Sequence, residues 1–91
     1  MLKVRYSAKF KKDFKLIQKR ENDLKLFQEA IALLCDEQPL PLKNKDHALS
    51  GAYAGYRECH IAPDWLLIYK IEKEILTLSL IRTGSHSDLF C

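Results

Sequence analysis

No apolar run in this chain approaches the roughly 18 residues that a membrane-spanning helix needs, so no transmembrane segment is expected. Met1-Leu2-Lys3-Val4-Arg5 leads into no apolar h-region, which argues against a secretory signal. Cysteine is sparse. Cys35, Cys59 and Cys91 are odd in number and form no C-x-x-C pair, so neither a disulfide scaffold nor a cysteine–zinc site is indicated, and a reduced cytoplasmic compartment fits better. Glycine and proline number three each, and no repeat, low-complexity tract or linker is visible. The phosphate-cradling and dinucleotide-binding glycine patterns, the G-x-S-x-G elbow of hydrolases and the HExxH zinc motif are all missing. No two histidines lie within a helical turn of one another, which argues against a zinc site; no metal and no cofactor is expected.

What is present is 91 residues with 47% hydrophobic and 30% charged side chains, an ordinary balance for a single folded domain spanning residues 1–91. The net charge of +3 is unevenly placed. Lys9, Lys11, Lys12, Lys15, Lys19 and Arg20 crowd the first quarter, a density that suits a polyanionic partner as well as a solvated helix face.

The apolar periodicity defines the order of elements. Met1–Tyr6 alternates as a half-buried strand. Ser7 caps a helix whose stripe is Phe10, Phe14, Leu16 and Ile17. Glu21-Asn22-Asp23 interrupts the pattern and offers caps for a second helix carrying Leu24, Phe27, Ala30, Ile31 and Leu34. Pro39 and Pro41 end that helix, and Pro39–Ser50 reads as a polar loop. The period then becomes two. Tyr56–Ile61 is a strand with Tyr56, Glu58 and His60 on one face and Arg57, Cys59 and Ile61 on the other. Trp65–Ile71 is apolar on both faces, and Ile75–Ile81 sets Leu76, Leu78 and Leu80 against Thr77 and Ser79. The predicted class is α+β in the order β-α-α-β-β-β, with a mainly antiparallel four-stranded sheet. Its two N-terminal helices cover one face, and the face bearing Thr77 and Ser79 is expected to be open.

The residues suited to chemistry gather in two stretches, Asp46–Trp65 and Arg82–Phe90. His47 lies in a loop, where histidine is usually only solvated. His60 shares a strand face with Glu58, where a structural hydrogen bond is the ordinary role. Asp64 follows a proline in a turn, a common turn-forming aspartate. Trp65 starts a central strand, where core packing is the default. His86 follows the last strand in a polar segment. Together they suggest more. Histidine exchanges protons near neutral pH. RNA brings its own nucleophile in the 2′-hydroxyl, so cleavage needs a base, an acid for the leaving 5′-oxygen, and positive charge for the phosphorane. Two histidines, or a histidine and an aspartate, divide the proton work without a metal. Arg57 or Arg82 matches phosphate oxygens by forked hydrogen bonds, and Phe90, Tyr53 or Trp65 offers a ring on which a splayed base stacks. Strand parity puts Arg82 on the leucine face, so it needs a bulge or a strand end to reach the open one.

Four motifs, Asp46-His47-Ala48-Leu49-Ser50-Gly51, Gly55-Tyr56-Arg57-Glu58-Cys59-His60, Pro63-Asp64-Trp65-Leu66-Leu67-Ile68-Tyr69 and Arg82-Thr83-Gly84-Ser85-His86-Ser87-Asp88-Leu89-Phe90, resemble in order the YafQ branch of the RelE superfamily of bacterial toxins. The similarity covers essentially the whole chain. It implies a RelE-like fold and an mRNA interferase, an endoribonuclease that cuts messenger RNA in the ribosomal A site. It also implies a DinJ-like antitoxin through which alone operator DNA is bound, with the ribosome and mRNA as the other partners. The matched catalytic positions are His47, His60, Asp64 and His86. His86 matches the proton donor, and His60 or Asp64 the group that takes the 2′-hydroxyl proton. Trp65 and Phe90 match aromatic positions and Arg82 a basic one. The basic first helix then becomes a grip on ribosomal RNA. A ribosome-independent ribonuclease with the same residues, and a non-catalytic RNA- or protein-binding module, are the alternatives. The role of Cys91 is left open.

Overall fold

The computed structural model describes residues 1–90; Cys91 lies outside them. β1 (Lys3–Tyr6) leads through Ser7 into α1 (Ala8–Lys19), and α2 (Leu24–Cys35) follows after a four-residue turn. Ser7 caps α1 as the sequence predicts, and of the stretch Glu21-Asn22-Asp23 it is Asp23 that caps α2. Ser7 Oγ accepts from Phe10 N at 2.9 Å and Asp23 Oδ1 from Lys25 N at 3.1 Å, each supplying a partner to a backbone N–H that the helix leaves unpaired. After α2 come β2 (His47–Ala48), β3 (Arg57–Ala62), β4 (Trp65–Glu72), β5 (Thr77–Gly84) and a short α3 (His86–Phe90).

The five strands form one sheet in the order β1-β5-β4-β3-β2. β3, β4 and β5 make the expected antiparallel meander, and β1 joins the edge parallel to β5, with Lys3 opposite Thr77. The α+β class and the strand-helix-helix-meander order are as expected; besides the added helix α3, four details differ. The segment expected to be a continuous loop contains a fifth strand of two residues, β2, pairing His47 with Glu58 and Ala48 with Arg57. Such a pairing has no periodicity for a sequence pattern to reveal. Asn44, in the turn before it, is buried and donates from Nδ2 to the carbonyl of His60 at 2.7 Å, which ties the segment to β3. The last strand begins at Thr77 rather than Ile75. Ile75 and Leu76 belong to the turn after β4, Leu76 at φ 48°, and both are exposed. Finally, β5 runs on to Gly84.

The helices bury Phe10, Ile17, Ala30 and Leu34 against Cys59, Ile61, Trp65, Leu67, Tyr69, Leu78 and Leu80. The opposite face is less open than expected, and this is the fourth difference. It carries a second apolar cluster in which Leu66, Ile68 and Leu89 of α3 pack with Leu49, Tyr53, Tyr56 and Ile81, and Ser79 is buried. Between Ile68 and Tyr69 the β4–β5 register slips, so that Ile68 faces Arg82 while Tyr69 faces Leu80. One extra residue on β5 changes the parity beyond it, as Arg82 requires to leave the leucine face.

β1 ends at Tyr6, opposite Leu80, and α1 takes over the edge of β5 from there. Ser7 Oγ donates to Ile81 O at 2.6 Å. Asp13 accepts from Arg82 Nε at 2.6 Å and Nη2 at 3.0 Å, and from the Thr83 N–H at 3.2 Å. A free edge is thereby capped by a helix carboxylate. Asp13→Ala is expected to lower stability by about 2–3 kcal/mol, less than for a fully buried pair because both side chains keep some solvent contact. Urea unfolding measures it as a lower midpoint at unchanged slope; a shift below about 0.5 kcal/mol, the range of ordinary surface changes, would mean that solvent screens the pair.

Candidate active site

Two groups of side chains stand on the face that carries Leu66 and Ile68. The first is built on β2 and β3. Glu58 is buried, with Oε1 3.5 Å from His47 Nε2 and 3.8 Å from His60 Nε2. Its Oε2 has no hydrogen-bond partner. His47 is oriented from behind, its Nδ1 donating to the carbonyl of Lys45 at 2.7 Å. That bond leaves Nε2 with a lone pair when the ring is neutral and an N–H when it is protonated, and only the N–H complements Oε1. A carboxylate removed from water thus lies beside two imidazole nitrogens, and either imidazole would find an ion-pair partner there when protonated.

The second group is built on the turn after β3 and on α3. Asp64 Oδ1 accepts from the backbone N–H of His86 at 3.1 Å, fixing the start of α3 to that turn. The His86 ring lies 5.2 Å from that of Phe90, and Phe90 stands 6.1 Å from Tyr53 at 82°. Both His86 and Phe90 are exposed. Register relates the groups: His60 faces Leu66 across β3–β4, and Leu66 faces Gly84 across β4–β5. Two inter-strand spacings, about 10 Å, thus separate His60 from the strand end that carries His86. His47 and His60 thus share one side of the sheet, and α3, which begins at His86, packs Leu89 onto Leu66 and Ile68 of that same side.

Other residues singled out from the sequence are committed elsewhere. Trp65 is 2% exposed on the helix side. Its ring stacks on Phe27 at 6.1 Å and 11°, and Nε1 donates to Thr83 Oγ1 at 2.8 Å. The core holds both its faces and its polar atom, so it offers nothing on which a base stacks. Arg57 projects from the face opposite Glu58 and His60. It donates from Nη2 to Asp46 Oδ2 at 3.1 Å, beside Tyr69, whose hydroxyl also donates to Asp46. Arg82 passes the bulge, but its guanidinium is held by Asp13, whose hydrogen bond pushes the arginine pKa further up. Lys9, Lys11, Lys12, Lys15 and Lys19 are exposed on α1, and none is in an ion pair among the described residues. Arg20 differs from them in being paired with Asp88.

Glu58, Asn44, Asp13 and Asp88 are the residues that reading the sequence for chemistry passes over. Glu58 had a signal, an acid sharing His60's parity in a strand otherwise apolar. Cys59 is not a nucleophile, since burial pushes its thiol up to about 12. Among the described residues no group of three His, Cys, Asp or Glu side chains is arranged to hold a metal ion, and no helix is long and apolar enough to cross a membrane.

Comparison with known proteins places the chain in a family. Residues 2–91 match the family model of the YafQ bacterial toxin of type II toxin–antitoxin systems. The mRNA interferase toxin YafQ of Escherichia coli K12 is 43% identical over 88 residues, covering 96% of this chain and 94% of that protein. A metal-bound toxin from Helicobacter pylori superposes with a TM-score of 0.92 at 50% identity, covering 99% of this chain and 100% of the other. YafQ in the E. coli DinJ–YafQ complex superposes with a TM-score of 0.89 at 41% identity, both chains fully covered. A match along nearly the whole chain, in sequence and in fold, establishes that this chain belongs to the YafQ family of type II toxin–antitoxin toxins.

Proposed function

We propose that the chain is a single toxin domain acting as a ribosome-dependent endoribonuclease, an mRNA interferase that cuts messenger RNA in the A site. His86, exposed at the start of α3, protonates the departing 5′-oxygen. His60, backed by Glu58, takes the proton of the 2′-hydroxyl; His47 holds Glu58 from the other side and supplies positive charge when protonated. Asp64 holds the His86 backbone. Phe90, partly exposed and edge-on to Tyr53, stacks against a base. No step in this reading passes through a metal ion. The observation that supports it most is buried Glu58 between His47 and His60 on the sheet face onto which α3, beginning at His86, packs Leu89. A DinJ-like antitoxin is the partner that restrains the toxin in the cytoplasm, and operator DNA is met only through that complex.

The test is to map the 5′ ends of transcripts incubated with the purified protein, with and without programmed ribosomes. Cleavage confined to translated messages is the expected outcome. Equally efficient cutting of naked RNA would favour a ribosome-independent ribonuclease, and no cutting in either arm a binding module.

The lysines of α1 serve as phosphate contacts with ribosomal RNA. Reversing the charge of Lys11, Lys12 and Lys15 together should weaken ribosome binding by about tenfold or more at moderate salt and lower the salt slope by about two to three. Stability should change little, because all three are exposed. Filter binding across a salt series measures this; unchanged affinity would remove α1 from the footprint.

A further inference from the structure

α3 has five residues, too few to hold a helix unaided, yet it bears His86 at its first position and Phe90 at its last. Besides the burial of Leu89 and the bond from the His86 N–H to Asp64, Asp88 holds it in place. Asp88 Oδ2 accepts from Ser85 N at 2.9 Å, and Ser85 Oγ accepts from Asp88 N at 3.1 Å, a reciprocal capping box. The same carboxylate receives Arg20 Nη1 at 2.7 Å and Nη2 at 3.2 Å, a forked pair. Arg20 is itself fixed, closing α1 through its N–H to Leu16 O at 3.0 Å. Gly84 gives independent evidence that the fold is shaped around this carboxylate: a Cβ there would lie 2.9 Å from Asp88 Oδ2. The guanidinium of Arg20, and next the Ser85 N–H, hold the Asp88 carboxyl well below the usual carboxylate range, so the clasp stays charged at any working pH.

We propose that Arg20 is a positioning residue: by clasping Asp88 from the end of α1, it holds α3 so that His86 and Phe90 stand over the sheet face bearing His60 and Glu58. This rests on the ribonuclease reading of that face. A guanidinium serving as a phosphate contact keeps its fork free for RNA, whereas both terminal nitrogens of Arg20 are spent on Asp88.

Two variants approach the clasp from opposite sides. Arg20→Ala removes the guanidinium, and Gly84→Ala sets a Cβ against the carboxylate, at a φ of 157° that also strains the backbone, while leaving Arg20 intact. In the free toxin, amide exchange at His86 and Leu89 should quicken about tenfold in both, with the β4 amides unchanged. On programmed ribosomes both should lower kcat by about 10- to 100-fold, the scale of a small misplacement of a reacting group, with ribosome affinity and salt slope unchanged. Arg20→Lys, which keeps charge without the fork, should recover part of the rate. Unchanged exchange in α3 would overturn the proposal. So would loss of ribosome affinity with a salt slope lower by about one, since that is a phosphate contact. If the wild-type protein cleaves nothing, the ribonuclease reading fails and with it the positioning of His86 for catalysis by Arg20, while the exchange data still decide whether the clasp orders α3.

Discussion

His86→Ala is expected to lower cleavage of ribosome-bound mRNA by about 10²- to 10⁴-fold, the range for loss of a positioned general acid, and to abolish growth arrest when the protein is expressed. The structure separates that loss from any loss of fold. The His86 ring is exposed, so its removal opens no cavity, and a stability change beyond about 0.5 kcal/mol is not expected. The backbone N–H that Asp64 holds is kept in the alanine variant, and the Ser85–Asp88 capping box does not involve the ring. Steady-state kinetics on programmed ribosomes should locate the defect in kcat, because the imidazole acts on the leaving oxygen rather than on docking. Undiminished growth arrest by a correctly folded His86→Ala protein would remove His86 from the acid role and with it the division of proton work across Leu66 and Ile68.

Local signals carried much of this outcome. Ser7 was legible as a cap, and the second cap as one of Glu21-Asn22-Asp23, because a side-chain oxygen before an apolar stripe can accept from an unpaired helix N–H. The meander was legible because the period changes to two after Tyr53 and short turns allow only antiparallel neighbours. The need of Arg82 for a bulge was legible from parity alone. What was not legible depends on distance along the chain. Asp13 with Arg82 and Arg20 with Asp88 join residues 69 and 68 positions apart; no spacing rule connects them, and each looks like an ordinary surface charge until α1 is laid along β5. Parallel pairing of β1 with β5 is non-local in the same way. α3 was invisible because five residues carry no helical period. Of the site, the histidines stood out by residue type, but Glu58 gained its meaning only when β2 brought His47 opposite it. The sequence motif also could not tell an aromatic ring committed to the core from one left exposed beside His86, and Trp65 and Phe90 are one of each.

That last distinction yields the largest expected effect on stability. Trp65→Ala should cost about 3–5 kcal/mol, the range for truncating a fully buried aromatic side chain. For 91 residues the whole stability is about 5–14 kcal/mol, so this one change removes a large fraction of it. The loss is compounded because Phe27 loses the surface it stacks on, and Thr83 Oγ1 the indole N–H that it accepts while itself donating to Leu66 O at 2.7 Å. Leu66 packs with Leu89 of α3, so the defect would spread to the site through packing. Trp65→Phe keeps most of the ring and removes the N–H. It should cost about 1–2 kcal/mol, roughly one hydrogen bond and the smaller ring, and leave kcat on ribosomes within about threefold of wild type once both proteins are shown to be folded. Urea denaturation followed by far-UV circular dichroism measures the first quantity, and cleavage assays below the unfolding midpoint the second. If Trp65→Ala instead unfolds at the wild-type midpoint and loses only cleavage, the indole contacts RNA directly, and the assignment of Trp65 to the core side of the sheet is wrong.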